Sequence, residues 1–275
     1  MLFFFRSNYY FVVMQKGKLF ISILGALFFI GCEGYHTKLH TLDMTVSEAP
    51  EVHGANTSQA PHSASWRITG KINSVQKKEV KETTKSSSAY SENTDITYKI
   101  GGKDFSGKAD FLYKIDGFFF GTGLGYKDGI YHHFTLGANL QHVEFGLFFG
   151  LYHQYYEMDY DASRCEYEYN LFSDKDEKCE AYSDSRQDFF TSPFIGAFAS
   201  IYIDKFFINY SASVYSPRIK IEENSPDLAA ITTQYITAGI RINRWIELSA
   251  GTSITYINKP QWYHGFTGGI SFYAM

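Results

Sequence analysis

Several groups of residues in this 275-residue chain have the types and spacing for chemistry. His133 and Thr135 are two positions apart, so on an extended strand they share a face, as a general base and the hydroxyl it activates would. The next carboxylate along the chain is Glu144. If Leu140 pairs with Val143, however, Glu144 faces Asn139, six residues along from His133 and roughly 20 Å away, beyond reach of the imidazole. Gly102-Lys103-Asp104-Phe105-Ser106-Gly107-Lys108 has the spacing of a phosphate-binding loop. Ala109 stands where a hydroxyl would reach magnesium, and no helix follows. Gly121, Gly123 and Gly125 read as the glycine face of a curved strand rather than a dinucleotide fingerprint. The nine histidines include no HExxH, so no metal site or cofactor is assigned.

A second group is acidic. Residues 157–188 hold eleven Asp or Glu and four Lys or Arg, a net charge of -7. Oxygen ligands such as Asp174, Asp176 and Glu177 suit divalent cations, but EF-hand spacing is lacking, so the stretch reads as a solvated acidic surface loop.

The elements that carry these groups are strands. The chain has 22 Tyr, 25 Phe, 3 Trp and 23 Gly against only 6 Pro, a composition of many short strands. A formal charge of -4 gives no reason to expect nucleic acid. No apolar run after residue 31 reaches the roughly 18 residues of a spanning helix.

From Asp95 onward the apolar period is two. Ten segments follow: 95–100, 105–115, 118–126, 130–140, 143–153, 189–202, 206–217, 232–242, 245–257 and 262–274. One face carries large apolar residues and the other mostly Gly, Ser, Thr and Asn with occasional charges. Connections after even segments are tiny and all the long ones have odd parity, so every long loop falls at one end. Aromatics near segment ends suit two interfacial girdles: Phe118, Tyr126, Tyr131, Tyr202, Phe206, Tyr215, Trp245, Tyr256, Trp262 and Tyr263. Pairing of the ninth and tenth segments brings Arg241 opposite Glu247, a lumen ion pair. Ten strands leave room for a narrow pore or a plugged barrel, not a wide channel.

The N-terminus reads as an address label: Met14-Gln15-Lys16-Gly17-Lys18 is followed by the apolar residues 19–30 of a signal peptide. Phe29-Ile30-Gly31-Cys32 resembles the lipobox of bacterial lipoproteins, which implies lipidation of Cys32. With Cys32 acylated, Cys165 and Cys179 remain as a pair for a disulfide in an oxidising compartment. Residues 1–31 are thus a signal region, 32–94 a polar arm or linker, and 95–275 the strand domain.

Across residues 95–275 the chain resembles the small bacterial outer-membrane β-barrel proteins, and its last strand, Gly265-Phe266-Thr267-Gly268-Gly269-Ile270-Ser271-Phe272, looks like their terminal strand. The resemblance implies an outer-membrane location with long loops at the cell surface. Its implied partners are membrane lipid, lipopolysaccharide, the barrel-assembly machinery and an extracellular ligand. His133 and Thr135 are similar to the His and Ser of lipid A deacylases, and His153, Glu157, Asp159 and Asp161 invite comparison with the omptin proteases. The fold expected is therefore all-β: a ten-stranded antiparallel transmembrane β-barrel preceded by a flexible N-terminal arm. The expected role is structural or surface-interaction. The alternatives are an outer-membrane hydrolase and a lipid-anchored soluble barrel of the lipocalin type.

Overall fold

The structure is a computed structural model that describes residues 35–53, 62–85, 93–168, 176–222, 224–257 and 261–274. The signal region, Cys32 and Asp174 lie outside the described residues, as do the side chains of Asp176 and Glu177. The strands are β1 Tyr35–Thr45, β2 Ser63–Lys85, β3 Asn93–Ile115, β4 Phe118–Tyr126, β5 Gly129–Leu140, β6 Val143–Glu168, β7 Asp176–Ile203, β8 Phe206–Tyr215, β9 Ile231–Asn243, β10 Ile246–Ile257 and β11 Gln261–Ala274. Strands β2 to β11 form a ten-stranded antiparallel ring in chain order, closed where β11 pairs with β2 from Gly265↔Val75 to Ala274↔Trp66. Asp116, Gln141 and Asp204 take left-handed conformations at the tight turns, with φ of 50°, 46° and 52°.

Ten is the expected number, but the set of strands differs. Segments 95–100 and 105–115 are one strand, β3. Gly101 and Gly102, at φ 103° and 144°, bend it instead of reversing it, and the β2 register slips opposite them between Val75 and Lys78. A Cβ on Gly101 would strike the backbone of Gln76.

The missing strand is β2, and it comes from the stretch read as an arm or linker. The boundary at residue 95 is corrected accordingly, since 63–85 belongs to the barrel wall. Trp66, Ile68 and Ile72 do alternate with Arg67, Thr69 and Lys71. Charges on the inner face and the Lys-rich upper half gave β2 the composition of a linker.

By compactness the chain forms two units. The smaller comprises Met1–His36 and Arg164–Glu180, and its described part holds a Cys165–Cys179 disulfide. The larger, Thr37–Ser163 with Ala181–Met275, is the barrel.

In the lower part of the barrel the pleat turns apolar residues outward. Leu147 is 62% exposed while its neighbour Phe148 is 0% exposed. Phe118, Phe120, Leu124, Phe134, Leu136, Ile208, Phe266 and Phe272 share the outer face with Leu147. This is the reverse of a lipocalin-type wall.

The lumen is only partly small and polar. Phe119, Phe148, Phe194, Phe198 and Phe207 point inward and fill the side made by β4 to β8. Each needs space on a neighbouring strand, and glycine supplies it: a Cβ on Gly137 would fall within the ring of Phe119, and one on Gly196 within the ring of Phe148. Of the ten girdle aromatics, Tyr131, Tyr202, Tyr215 and Tyr263 also turn inward, because their parity places them on the lumen face. Phe118, Tyr126, Phe206, Trp245, Tyr256 and Trp262 remain outside.

Four strands outrun the apolar belt: β2 and β3 have 23 residues each, β6 has 26 and β7 has 28, against nine for β4. Along β3, and along β6 as far as Ala162, the side-chain parity does not change, but the polarity does. Above the belt Ile96, Tyr98, Ile100, Tyr156, Met158 and Tyr160 point inward and are buried, while Asp95, Glu157, Asp159 and Asp161 point outward. Strand β1 completes this upper wall over the short β4–β5 hairpin. It pairs in parallel with β3 from Thr41↔Asp95 to Thr45↔Lys99, and it also pairs with β6. Leu42 and Met44 of β1 join the inner apolar core together with Ile219 and Ile221.

Candidate functional site

After Thr45 the chain leaves the upper wall and enters the lumen as a strap, residues 46–53, in which 48–53 are all buried. Backbone groups fasten it. Val46 N donates to Lys99 O at 3.0 Å, Tyr215 Oη to Ser47 O at 2.7 Å, and Tyr235 Oη to Ala49 O at 2.6 Å. Ala49 N in turn donates to Thr233 Oγ1 at 3.0 Å. The His53 carbonyl accepts from Arg67 Nη2 at 3.3 Å, near the tight-turn end of β2. A strap so bonded satisfies buried main-chain groups that would otherwise be costly.

The strap carries two carboxylates into a basic wall. Glu48 Oε2 lies 2.6 Å from Lys127 Nζ, and Glu48 Oε1 accepts from Ser253 Oγ at 2.6 Å and Thr255 Oγ1 at 3.3 Å. Glu51 Oε2 lies 2.6 Å from Lys71 Nζ, and Thr237 Oγ1 donates to Glu51 Oε1 at 3.2 Å. His53 Nε2 is 3.2 Å from both Lys71 Nζ and Glu51 Oε1. The wall's own carboxylate at this place is Asp110. Its Oδ2 accepts from Arg67 Nε at 3.0 Å and Nη2 at 2.7 Å, with Lys108 Nζ at 3.6 Å.

The three candidates His133, Thr135 and Glu144 are not brought together. His133 Nε2 faces Asp110 Oδ1 at 3.5 Å, across the vacant side-chain position of Gly123. Thr135 is buried beside it, and its hydroxyl has no partner among the described residues. Glu144 is in register with Asn139, whose Nδ2 donates to it at 2.6 Å, and Tyr202 Oη donates to it at 3.2 Å. Asp110 is the partner that sequence reasoning missed. The registers Asp110↔Gly123 and Gly123↔His133 bring it there over two strand pairs, and spacing along the chain carries no such signal. Arg241 and Glu247 are opposed in register, with Nη2 and Oε2 3.8 Å apart, and Tyr273 Oη donates to Glu247 at 2.9 Å.

The omptin-like set does not form one cluster either. His153 stacks on Phe189 and His132 on the outer face, with Nδ1 2.8 Å from Thr191 Oγ1. Asp159 and Asp161 lie higher and accept from Ser185 Oγ at 2.7 Å and Ser183 Oγ at 2.6 Å. They line a groove of about 1060 Å³ on the upper wall with Asp43, Glu82, Asp95 and Asp184. Burial alone would raise the Asp43 carboxyl, but hydrogen bonds from Lys99, at 2.9 Å, and Thr97 outweigh it and hold the group below its ordinary value. The bond to Asp43 correspondingly raises Lys99. Ser183 and then Thr41 hold the Asp161 carboxyl down. Among the described residues no group of three or more His, Cys, Asp or Glu is placed to hold a metal ion.

No protein-family model matches the chain, and no curated protein does. Solved structures similar in fold are bacterial barrels. The outer membrane protease OmpT from Escherichia coli is 10% identical with a TM-score of 0.44, over 80% of this chain and 100% of that one. An outer membrane channel from Pseudomonas putida F1 is 10% identical with a TM-score of 0.41, over 82% and 100%. The translocator domain of the autotransporter NalP from Neisseria meningitidis is 9% identical with a TM-score of 0.34, over 78% and 89%.

Proposed function

We propose that this chain is a bacterial outer-membrane protein whose barrel is closed by its own strap and whose role, structural or surface-interacting, is carried by the upper wall. The observation behind this is the exchange of polarity along β3 and β6. Outward residues are apolar from Phe105 to Ile115 and, His153 apart, from Phe145 to Tyr155, then charged or polar beyond. A strand that meets hydrocarbon and then water needs this arrangement, and a barrel in a single solvent does not. The six carboxylates of the mouth groove suit a cationic ligand or cation-bridged lipopolysaccharide. In this reading residues 1–31 are the export signal and the barrel-assembly machinery inserts the ring.

Cysteine substitutions at Asp159 and Asp204 test orientation, read with a membrane-impermeant maleimide on intact cells against the parent chain. Labelling at Asp159 and protection at Asp204 until the cells are lysed are expected. Equal labelling of both positions, or a chain that stays soluble without detergent, would overturn the proposal.

A further inference from the structure

We propose that the lumen is an anion-selective passage, held shut because Glu48 and Glu51 of the strap occupy its anion-binding groups. Arg67, Lys71, Lys108 and Lys127 are all buried around the strap. On the wall, Asp110 is engaged by Arg67 and Lys108, and Asp104 acts on Lys127 from a distance. The carboxylates bonded to Lys71 and Lys127 belong to the strap. A buried ammonium without a counter-charge is costly, so this wall requires anions among its cations. Hydroxyls complete the set, Ser253 and Thr255 on Glu48 and Thr237 on Glu51. An ammonium flanked by hydroxyl donors recognises any carboxylate or phosphate oxygen, and the two strap glutamates are tethered occupants of such places.

The strap also fills the space. Displacing an extended chain leaves a passage on the order of 5 by 10 Å in section, the lateral dimensions of a strand. Its lining would then carry Arg67, Lys71, Lys108 and Lys127 against the wall carboxylates Asp110 and Asp104, a net positive charge, and a cleft with an excess of one charge sign concentrates counter-ions about tenfold or more. The opposite side of the lumen is mostly aromatic, with Phe148, Phe194 and Phe198, and its carboxylate Glu144 is bonded to Asn139 and Tyr202.

The inference rests on the belt spanning a membrane, so insertion and conductance are read separately. The full chain and E48Q/E51Q are reconstituted in phosphatidylcholine vesicles, floated on a density gradient, and fused to planar bilayers under a potassium chloride gradient. Both should float. The parent should stay closed, and the variant should open with chloride favoured over potassium by about tenfold. Inorganic phosphate, added as a competing anion, should reduce that chloride current. If unpaired lysines keep E48Q/E51Q from folding, as judged by heat-modifiable migration, E48Q/E51Q/K71Q/K127Q replaces it and should open with weaker anion preference. A folded variant as silent as the parent, or a current that favours potassium, overturns the passage. A parent chain that does not float overturns the belt reading and the passage with it.

Discussion

The belt and the upper wall share strands β3 and β6 and the same pleat, yet they solve opposite problems. In the belt Phe145, Leu147 and Phe149 face out while Glu144 and Tyr152 face in. A few residues further along β6, Met158 and Tyr160 face in while Asp159 and Asp161 face out. Alternation therefore fixes which residues share a face, and the surrounding solvent decides which face is apolar. The interiors differ as well. The belt's lumen needs paired charges and ring-on-glycine packing, whereas the upper wall has an ordinary apolar core around Leu42, Met44, Ile96 and Tyr98.

The largest expected difference between the regions is in the loss of a carboxylate. Asp110→Ala leaves Arg67 and Lys108 without their wall partner and should cost about 3–5 kcal/mol, while Asp159→Ala on the exposed outer face should stay within about 0.5 kcal/mol. Urea titration of heat-modifiable migration in detergent measures both, and equal effects would erase the distinction. Next comes charge on the outer face. Leu136→Arg in the belt should cost about 2–4 kcal/mol in lipid and Thr97→Arg in the upper wall little, as read by folding into vesicles.

Smaller again is the effect of filling a glycine. Gly196→Val drives a side chain into the ring of Phe148 and should cost about 1–3 kcal/mol, part of which Phe148→Leu recovers. The smallest concerns pH. The Asp43 carboxyl is lowered in the folded chain, so its contribution is present above the ordinary carboxylate value of about 3.9 and is lost as pH falls through the folded value. Acid should thus loosen β1 from β3, seen as faster proteolysis within 37–45, and Asp43→Asn should remove that acid dependence. An unchanged acid profile in the variant would assign the effect to other carboxylates.

Much of the ring was legible because period-two alternation is local. Segments 118–126, 130–140, 206–217 and 232–242 match β4, β5, β8 and β9 closely, and their tight turns were visible as short polar interruptions. The Gly101-Gly102 pair misled, since glycine that permits a reversal equally permits a bend. Strand β2 and the strap were missed for another reason. Arg67, Lys71, Glu48 and Glu51 have the composition of a solvated linker, and only their mutual pairing makes burial tolerable.

The sequence by itself determined the two-faced strands, the apolar outer belt and a strand number near ten, because each depends on side chains one or two residues apart. Only the tertiary structure decided that residues 46–53 lie inside the barrel, that Asp110 is the carboxylate His133 meets, and that apolar residues change face above the belt. Those outcomes depend on cross-strand register and on which solvent each stretch meets, and neither is encoded in spacing along the chain.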